Sequence, residues 1–250
     1  MSELVIVTDD GPVRTVRMNR PEKKNALTLV MYDAMAAAIE SVGENPALRC
    51  LLIAGSPNGF CAGNDIGDFL KAAGASGALG APILRFLYAL ARCEKPLVAA
   101  VQGNAVGVGT TMLMHCDHVI AATDARFSTP FVGLGLVPEA ASSLIAPRLM
   151  GQARAFSLLV MGRPMNAEEA KAAGLVNTVV APDAVEAEAM KAAREIAALP
   201  PQGVLASRRL LRGAPDEIVA RIDAEAELFK TRLRSAEART AFEAFMMRKR

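Results

Sequence analysis

The sequence predicts an α/β fold, and two patterns carry that prediction. Short, continuously apolar runs alternate with segments whose apolar residues recur at helical spacing. No hairpin turn separates the later apolar runs, so they need crossover connections, as parallel strands do. Composition agrees: of 250 residues, 52% are apolar and 22% charged, the balance of a chain that buries a large core.

The elements follow in order. Residues 4–7 and 13–18 are β-branched runs around Asp9-Asp10-Gly11, which signals a hairpin. Residues 27–42 repeat at helical spacing behind Asn25, which reads as their cap region. Residues 50–54, 96–101, 118–122 and 176–180 read as short strands, with helices expected over 84–93, 108–114 and 140–150. "LPPQG" at Leu199 breaks the pattern, and only charge-rich helices follow, over 204–211, 218–234 and 236–247. The chain thus divides into 1–199 and 200–250. The small-residue stretch "AAGASGALGA", residues 72–81, reads as a mobile loop.

Several functions are disfavoured. A net charge of +2, with its basic cluster at Arg248-Lys249-Arg250, does not suit nucleic acid. Two Tyr and no Trp offer little for base stacking. No eighteen-residue apolar run lacks a charge, and the first residues are acidic where a secretory signal needs a basic flank. A cytoplasmic location is therefore expected. Cys50, Cys61, Cys93 and Cys116 lie far apart, as reduced thiols do. His115, Cys116, Asp117 and His118 sit too close together at a helix-to-strand junction to face one ion, so no metal is expected. Ser142-Ser143 has no neighbouring His that suggests a triad.

Three segments can carry chemistry. In "GFCAGNDIGDF", residues 59–69, Ala62 and Gly63 let a ligand approach the backbone, and the N–H of Asn64 points outward at a helix start. On this segment alone a plain capped helix, with Asn64 or Asp65 as cap, is the preferred reading. In "AAVQGNAVGVGTTM", residues 99–112, a strand runs into Gly103, Gly107 and Gly109 and then a helix. The glycine spacing is wrong for a dinucleotide loop, leaving either a second set of ligand-facing N–H groups or tight helix–strand packing. In "FVGLGLVPEAASS", residues 131–143, Glu139 is the only ionisable side chain between Phe127 and Ala146. It fits a helix start behind Pro138, where the dipole favours an acid. From this segment alone that account is the preferred one; the other reading is a base whose proton affinity is raised by apolar surroundings.

Taken together, "MNRPEKKNALT", "GFCAGNDI", "KPLVAAVQGNAVGVGTTMLMHCDHVIA", "ARFSTPFVGLGLVPEAASS" and "GRPMNAEEAKAAGLVNTVV" resemble the crotonase, or enoyl-CoA hydratase/isomerase, superfamily. The likeness runs over nearly the whole chain, in order and with similar spacing. It implies a spiral of ββα turns, a C-terminal helical region that builds a homotrimer or dimer of trimers, and an acyl-CoA thioester substrate that brings coenzyme A, with no separate cofactor. It implies an oxyanion hole from the N–H groups of Asn64 and Val108. Lys23, Lys24, Asn25, Ala26 and Leu27, with Ala62, Gly63, Asp65 and Ile66, would line the CoA path. Gly107 and Phe131 would border the acyl group, and Lys249 or Arg248 would reach a CoA phosphate.

The departures from the family pattern narrow the chemistry. Where hydratases of this family carry two water-activating glutamates, this chain has Thr111 and Phe131, neither able to act as that base. Glu139 instead matches the single glutamate of peroxisomal-type 3,2-enoyl-CoA isomerases. The resemblance thus implies an isomerase in which Glu139 shuttles a proton. Hydratase, thioester hydrolase or ring-isomerase chemistry, and acyl-CoA binding without catalysis, remain the alternatives.

Overall fold

In the computed structural model, residues 4–56, 59–65, 67 and 80–248 are described. Strands β1 (Val5–Asp10) and β2 (Val13–Met18) form the expected antiparallel hairpin at one edge of a six-stranded sheet. Strands β3 (Cys50–Ala54), β4 (Leu97–Val101), β6 (His118–Ala122) and β9 (Thr178–Val180) continue it in parallel, in the order β1-β2-β3-β4-β6-β9. A second sheet of three short strands, β5 (Asn104–Val106), β7 (Arg126–Ser128) and β8 (Met165–Asn166), lies beside it. Both sheets climb together, because β4 runs into β5 and β6 into β7 through tight turns. These short β5, β7 and β8 segments carry too few residues for a period and are absent from the sequence reading.

The central parallel strands β3 and β4 are apolar throughout because both faces are covered. Leu51, Ile53, Leu97, Ala99, Val101, Val119 and Ala121 face the larger core, which α1 (Leu29–Glu44) and α2 (Ala81–Arg92) share. Their neighbours Cys50, Leu52, Ala54, Val98, Ala100, Ile120 and Ala122 face Val185, Ala189, Ala193 and Ala197 of α7. The alanine stripe of α7 (Val185–Ala198) lets that helix lie close across the sheet.

Several helix ends differ from the sequence expectation by two or three residues, and three differences bear on the site. Asn25 does not cap α1; Thr28 does, its hydroxyl accepting from the Met31 N–H at 3.3 Å. Asn25 is instead buried with φ +55 and ties its segment to a distant one, its amide donating to Ser56 Oγ, Gly59 O and Phe60 O. The helix expected from Ala140 starts at Ser142, as α4 (Ser142–Met150), since Ala140 and Ala141 take φ of +62 and +55. The helix over 108–114 is α3 (Val108–Thr111) continued by a 3-10 turn, Met112–His115. Helices α5 (Gln152–Leu159) and α6 (Ala167–Ala172) complete the spiral. Beyond Pro200 come α8 (Pro201–Arg212), α9 (Pro215–Leu233) and α10 (Ala236–Arg248). Most of the stretch 72–81, together with Ile66 and Lys249, lies outside the described residues.

Candidate active site

Four stretches far apart in sequence line up side by side through main-chain hydrogen bonds. Ala62 N–H donates to Lys24 O at 2.9 Å, Leu27 N–H to Gly63 O at 2.8 Å, and Asp65 N–H to Leu27 O at 2.9 Å. On the other side Cys61 N–H donates to Asn104 O, Val106 N–H to Cys61 O, and Gly107 N–H to Ser128 O. The residue 24–27 segment, the 61–65 loop and the second glycine-rich turn thus form one floor. Two glycines allow the approach: Gly63 has φ +87 with Val106 O only 3.0 Å from where a Cβ would sit, and a Cβ on Gly109 would lie 2.8 Å from that of Cys61.

Asn64 and Val108 come next to each other's loop on this floor. Among the described residues, neither backbone N–H has a main-chain partner. The Asn64 side chain is held by Tyr32 of α1, whose hydroxyl donates to Asn64 Oδ1 at 2.5 Å. Tyr32 is buried, and desolvation together with the nearby Glu139 charge pushes its phenol well above the ordinary range.

Glu139 is 1% exposed. Thr111 Oγ1 donates to its Oε1 at 3.1 Å, while Oε2 is buried with no hydrogen-bond partner among the described residues. Desolvation raises its pKa from 4.5 to about 7, the Glu225 charge adding to the rise and the Thr111 hydrogen bond opposing it. Tyr32 and Cys61 both feel the Glu139 charge, so the carboxylate lies near both of them. The helix-start account of Glu139 fails: it precedes α4, and the first turn of α4 holds no acid of its own.

The turn that presents Glu139 is braced from three sides. Ser142 Oγ donates to Glu139 O at 2.6 Å. His115 Nε2 lies 2.8 Å from Ala140 O, so Nε2 carries the proton; burial lowers its pKa to about 4 and keeps the ring neutral. Glu225, from α9, takes the Ala141 N–H at 2.6 Å and the Ser143 N–H at 3.0 Å. His115 therefore serves the turn, and among the described residues no cluster of donors suits a metal.

Residues 9–250 match the family described as enoyl-CoA hydratase/isomerase. The chain belongs to that family. The 1,2-epoxyphenylacetyl-CoA isomerase of Escherichia coli K12 is 32% identical, over 100% of this chain and 97% of that protein. Enoyl-CoA delta isomerase 2 of Rattus norvegicus is 34% identical over 99% of this chain, which spans 64% of the rat protein's length. Other relatives bear hydratase names. The crystal structure of an enoyl-CoA hydratase/isomerase from Pseudoalteromonas atlantica T6c superimposes with a TM-score of 0.92 at 41% identity, covering 98% of this chain and 97% of that one.

On this enoyl-CoA hydratase/isomerase framework the remaining expected residues separate into two kinds. Lys23 and Lys24 are exposed at the rim, and Ala26, Ala62 and Asn64 are partly exposed. Asn25 and Leu27 are buried, and Asp65 is paired with Arg20 at 2.8 Å, so their side chains are engaged within the protein. Phe131 is buried near Gly107, 3.8 Å from where a Cβ would stand. Tyr32 and Glu225 were not singled out in the sequence, although Glu225 had a signal. It shares the buried stripe of α9 with Ile222 and Phe229, an acid where the period calls for an apolar residue.

Proposed function

We propose that the protein is an enoyl-CoA isomerase that moves a double bond from the 3- to the 2-position of an acyl-CoA thioester. The observation that carries this reading is Glu139: a buried carboxylate with a pKa near neutrality and one oxygen that has no hydrogen-bond partner among the described residues, beside a floor where, among the same residues, the Asn64 and Val108 N–H groups have no main-chain partner. Isomerase names among the relatives support it, and Thr111 and Phe131 supply no second acid.

The chemistry needs two proton moves and no water. Glu139 removes a proton from C2, the electron pair spreads onto the thioester oxygen as a dienolate, and the same carboxyl returns the proton at C4. Such assistance is worth on the order of 10²–10⁴-fold. The Asn64 and Val108 N–H groups bind the dienolate oxygen; losing one such donor in comparable sites costs roughly 3–4 kcal/mol. Phe131 and Leu136, both buried, shield the carboxylate from water. In this reading the CoA moiety runs past Lys23 and Lys24 and along Ala26 and Ala62, while Asn25, Leu27, Gly63, Asp65 and Gly107 shape the backbone beneath it. The helices after Pro200 contact neighbouring subunits, with Leu210 and Leu211, 87% and 88% exposed, as candidate contacts.

The test is a panel of 3-enoyl-CoA chain lengths, read by 2-enoyl-CoA formation and by solvent deuterium entering C2. Turnover with exchange is expected. Brisk hydration of crotonyl-CoA would replace this reading with the hydratase one, and thioester binding without exchange would replace it with the binding-only one.

A further inference from the structure

Glu225 is an acid that the chemistry above does not use, yet its carboxylate is built into the turn carrying Glu139. It is 5% exposed and reaches across 84 residues of sequence from α9. Its Oε2 accepts the Ala141 N–H at 2.6 Å; its Oε1 accepts the Ser143 N–H at 3.0 Å and the Ser143 hydroxyl at 2.5 Å. These are N–H groups at the mouth of α4, which has no side-chain cap of its own. The turn needs such a clamp, because Ala140 and Ala141 both hold left-handed φ, a conformation that residues with a Cβ resist.

We infer that Glu225 is a positioning residue: by clamping Ala141 and Ser143 it holds the left-handed turn that aims the bare oxygen of Glu139 into the site. A helix of the C-terminal region thereby sets the geometry of a group on the spiral. This rests on the reading of Glu139 as the base. The ionisable groups around the pair are few. Glu139 feels Glu225 from α9, with Tyr32 of α1 and Cys61 of the glycine-rich loop also close, and neutral His115 touches its turn. Arg221, one turn before Glu225, donates to Ser143 Oγ at 3.2 Å and favours the charged form of Glu225. With three donors on Glu225 and one on Glu139, Glu139 is the more readily protonated of the two.

The experiment compares wild type, Glu225→Gln and Glu139→Gln on 3-hexenoyl-CoA, with kcat and KM measured across pH. Glu225→Gln is expected to lose roughly 10–100-fold in kcat with KM within about 2-fold, as a misaimed group does. Its acid limb in kcat/KM should move to lower pH, because a negative charge has left the neighbourhood of Glu139. Unchanged kcat and limb beside an inactive Glu139→Gln would overturn the inference, as would a kcat loss with the limb unmoved, which a merely structural role produces. An active Glu139→Gln would sink the base reading itself, and this inference with it. If Glu225→Gln does not fold, Ser143→Ala carries the test: a kcat loss of about 5-fold at constant KM supports the clamp, and an unchanged kcat overturns it.

Discussion

Glu139 and Glu225 are neighbours, both buried, and nearly opposite in what their oxygens meet. Glu225 sits where backbone and hydroxyl donors converge, so its charge is matched and its position fixed. Among the described residues Glu139 has one hydrogen bond, from Thr111, and one oxygen without a partner. Burial raises both carboxyls, helped at Glu139 by the Glu225 charge; one hydrogen bond opposes the rise at Glu139 and three oppose it at Glu225. A buried carboxylate with all its partners is architecture. One with a missing partner stores free energy that a substrate proton can use.

Glu139→Gln gives the largest break in that contrast. Activity should fall about 10³-fold. Stability should move the other way. A folded-state pKa of about 7 against 4.5 means that the fold favours the neutral carboxyl, so its stabilisation is full below 4.5 and lost as pH rises towards 7. That loss amounts to about 3 kcal/mol. Urea denaturation at pH 5 and pH 8 should show a steeper decline for wild type than for the glutamine variant. Parallel declines would mean that Glu139 is solvated in solution.

Glu225→Gln should have the opposite stability signature. The amide keeps one acceptor oxygen but turns the other into an NH2 that faces an N–H, leaving the Ala141 or the Ser143 N–H unpaired at about 1–3 kcal/mol. A lower urea midpoint at every pH from 6 to 8 checks it, and a variant as stable as wild type would show the clamp to be slack.

The asymmetry also explains what was legible in the sequence. The central strands β3 and β4 were visible because both faces are apolar, which writes each one as an unbroken run such as Cys50–Ala54. Glu139 stood out because its local sequence is empty of charge. Its surroundings did not, because Tyr32 and Glu225 come from elements 107 residues before and 86 residues after it, and no local pattern joins them. The cap of α4 misled for the same reason: a local acid, Glu139, was available for a role that a distant one fills. The short β5, β7 and β8 ladder escaped because its pairing is set by the spiral and not by propensity.

Thr111→Val makes Glu139 still more unlike Glu225. The hydrogen bond it removes is the one that lowers the Glu139 pKa, so that pKa rises further. The acid limb of kcat/KM should then move to higher pH, the reverse of the shift in Glu225→Gln. At pH 6 the activity should drop about 5-fold, from a lost hydrogen bond of about 1 kcal/mol, and recover at pH 9. Limbs moving in the same direction in both variants would mean that one common distortion, rather than two separate electrostatic terms, governs Glu139.

Tyr32→Phe has the smallest expected effect and separates the base from the oxyanion side. The phenol touches Asn64 Oδ1, and losing it frees that side chain while the Asn64 main chain stays paired to the 24–27 segment through its neighbours Gly63 and Asp65. kcat should fall only about 3–5-fold, a single buried hydrogen bond's worth. Tyr32 bears no charge near neutrality, so the acid limb should hardly move. A limb that shifted as far as in Glu225→Gln would place the Tyr32 hydroxyl on Glu139 rather than Asn64 in the working enzyme. The tyrosine would then supply part of what the bare oxygen lacks.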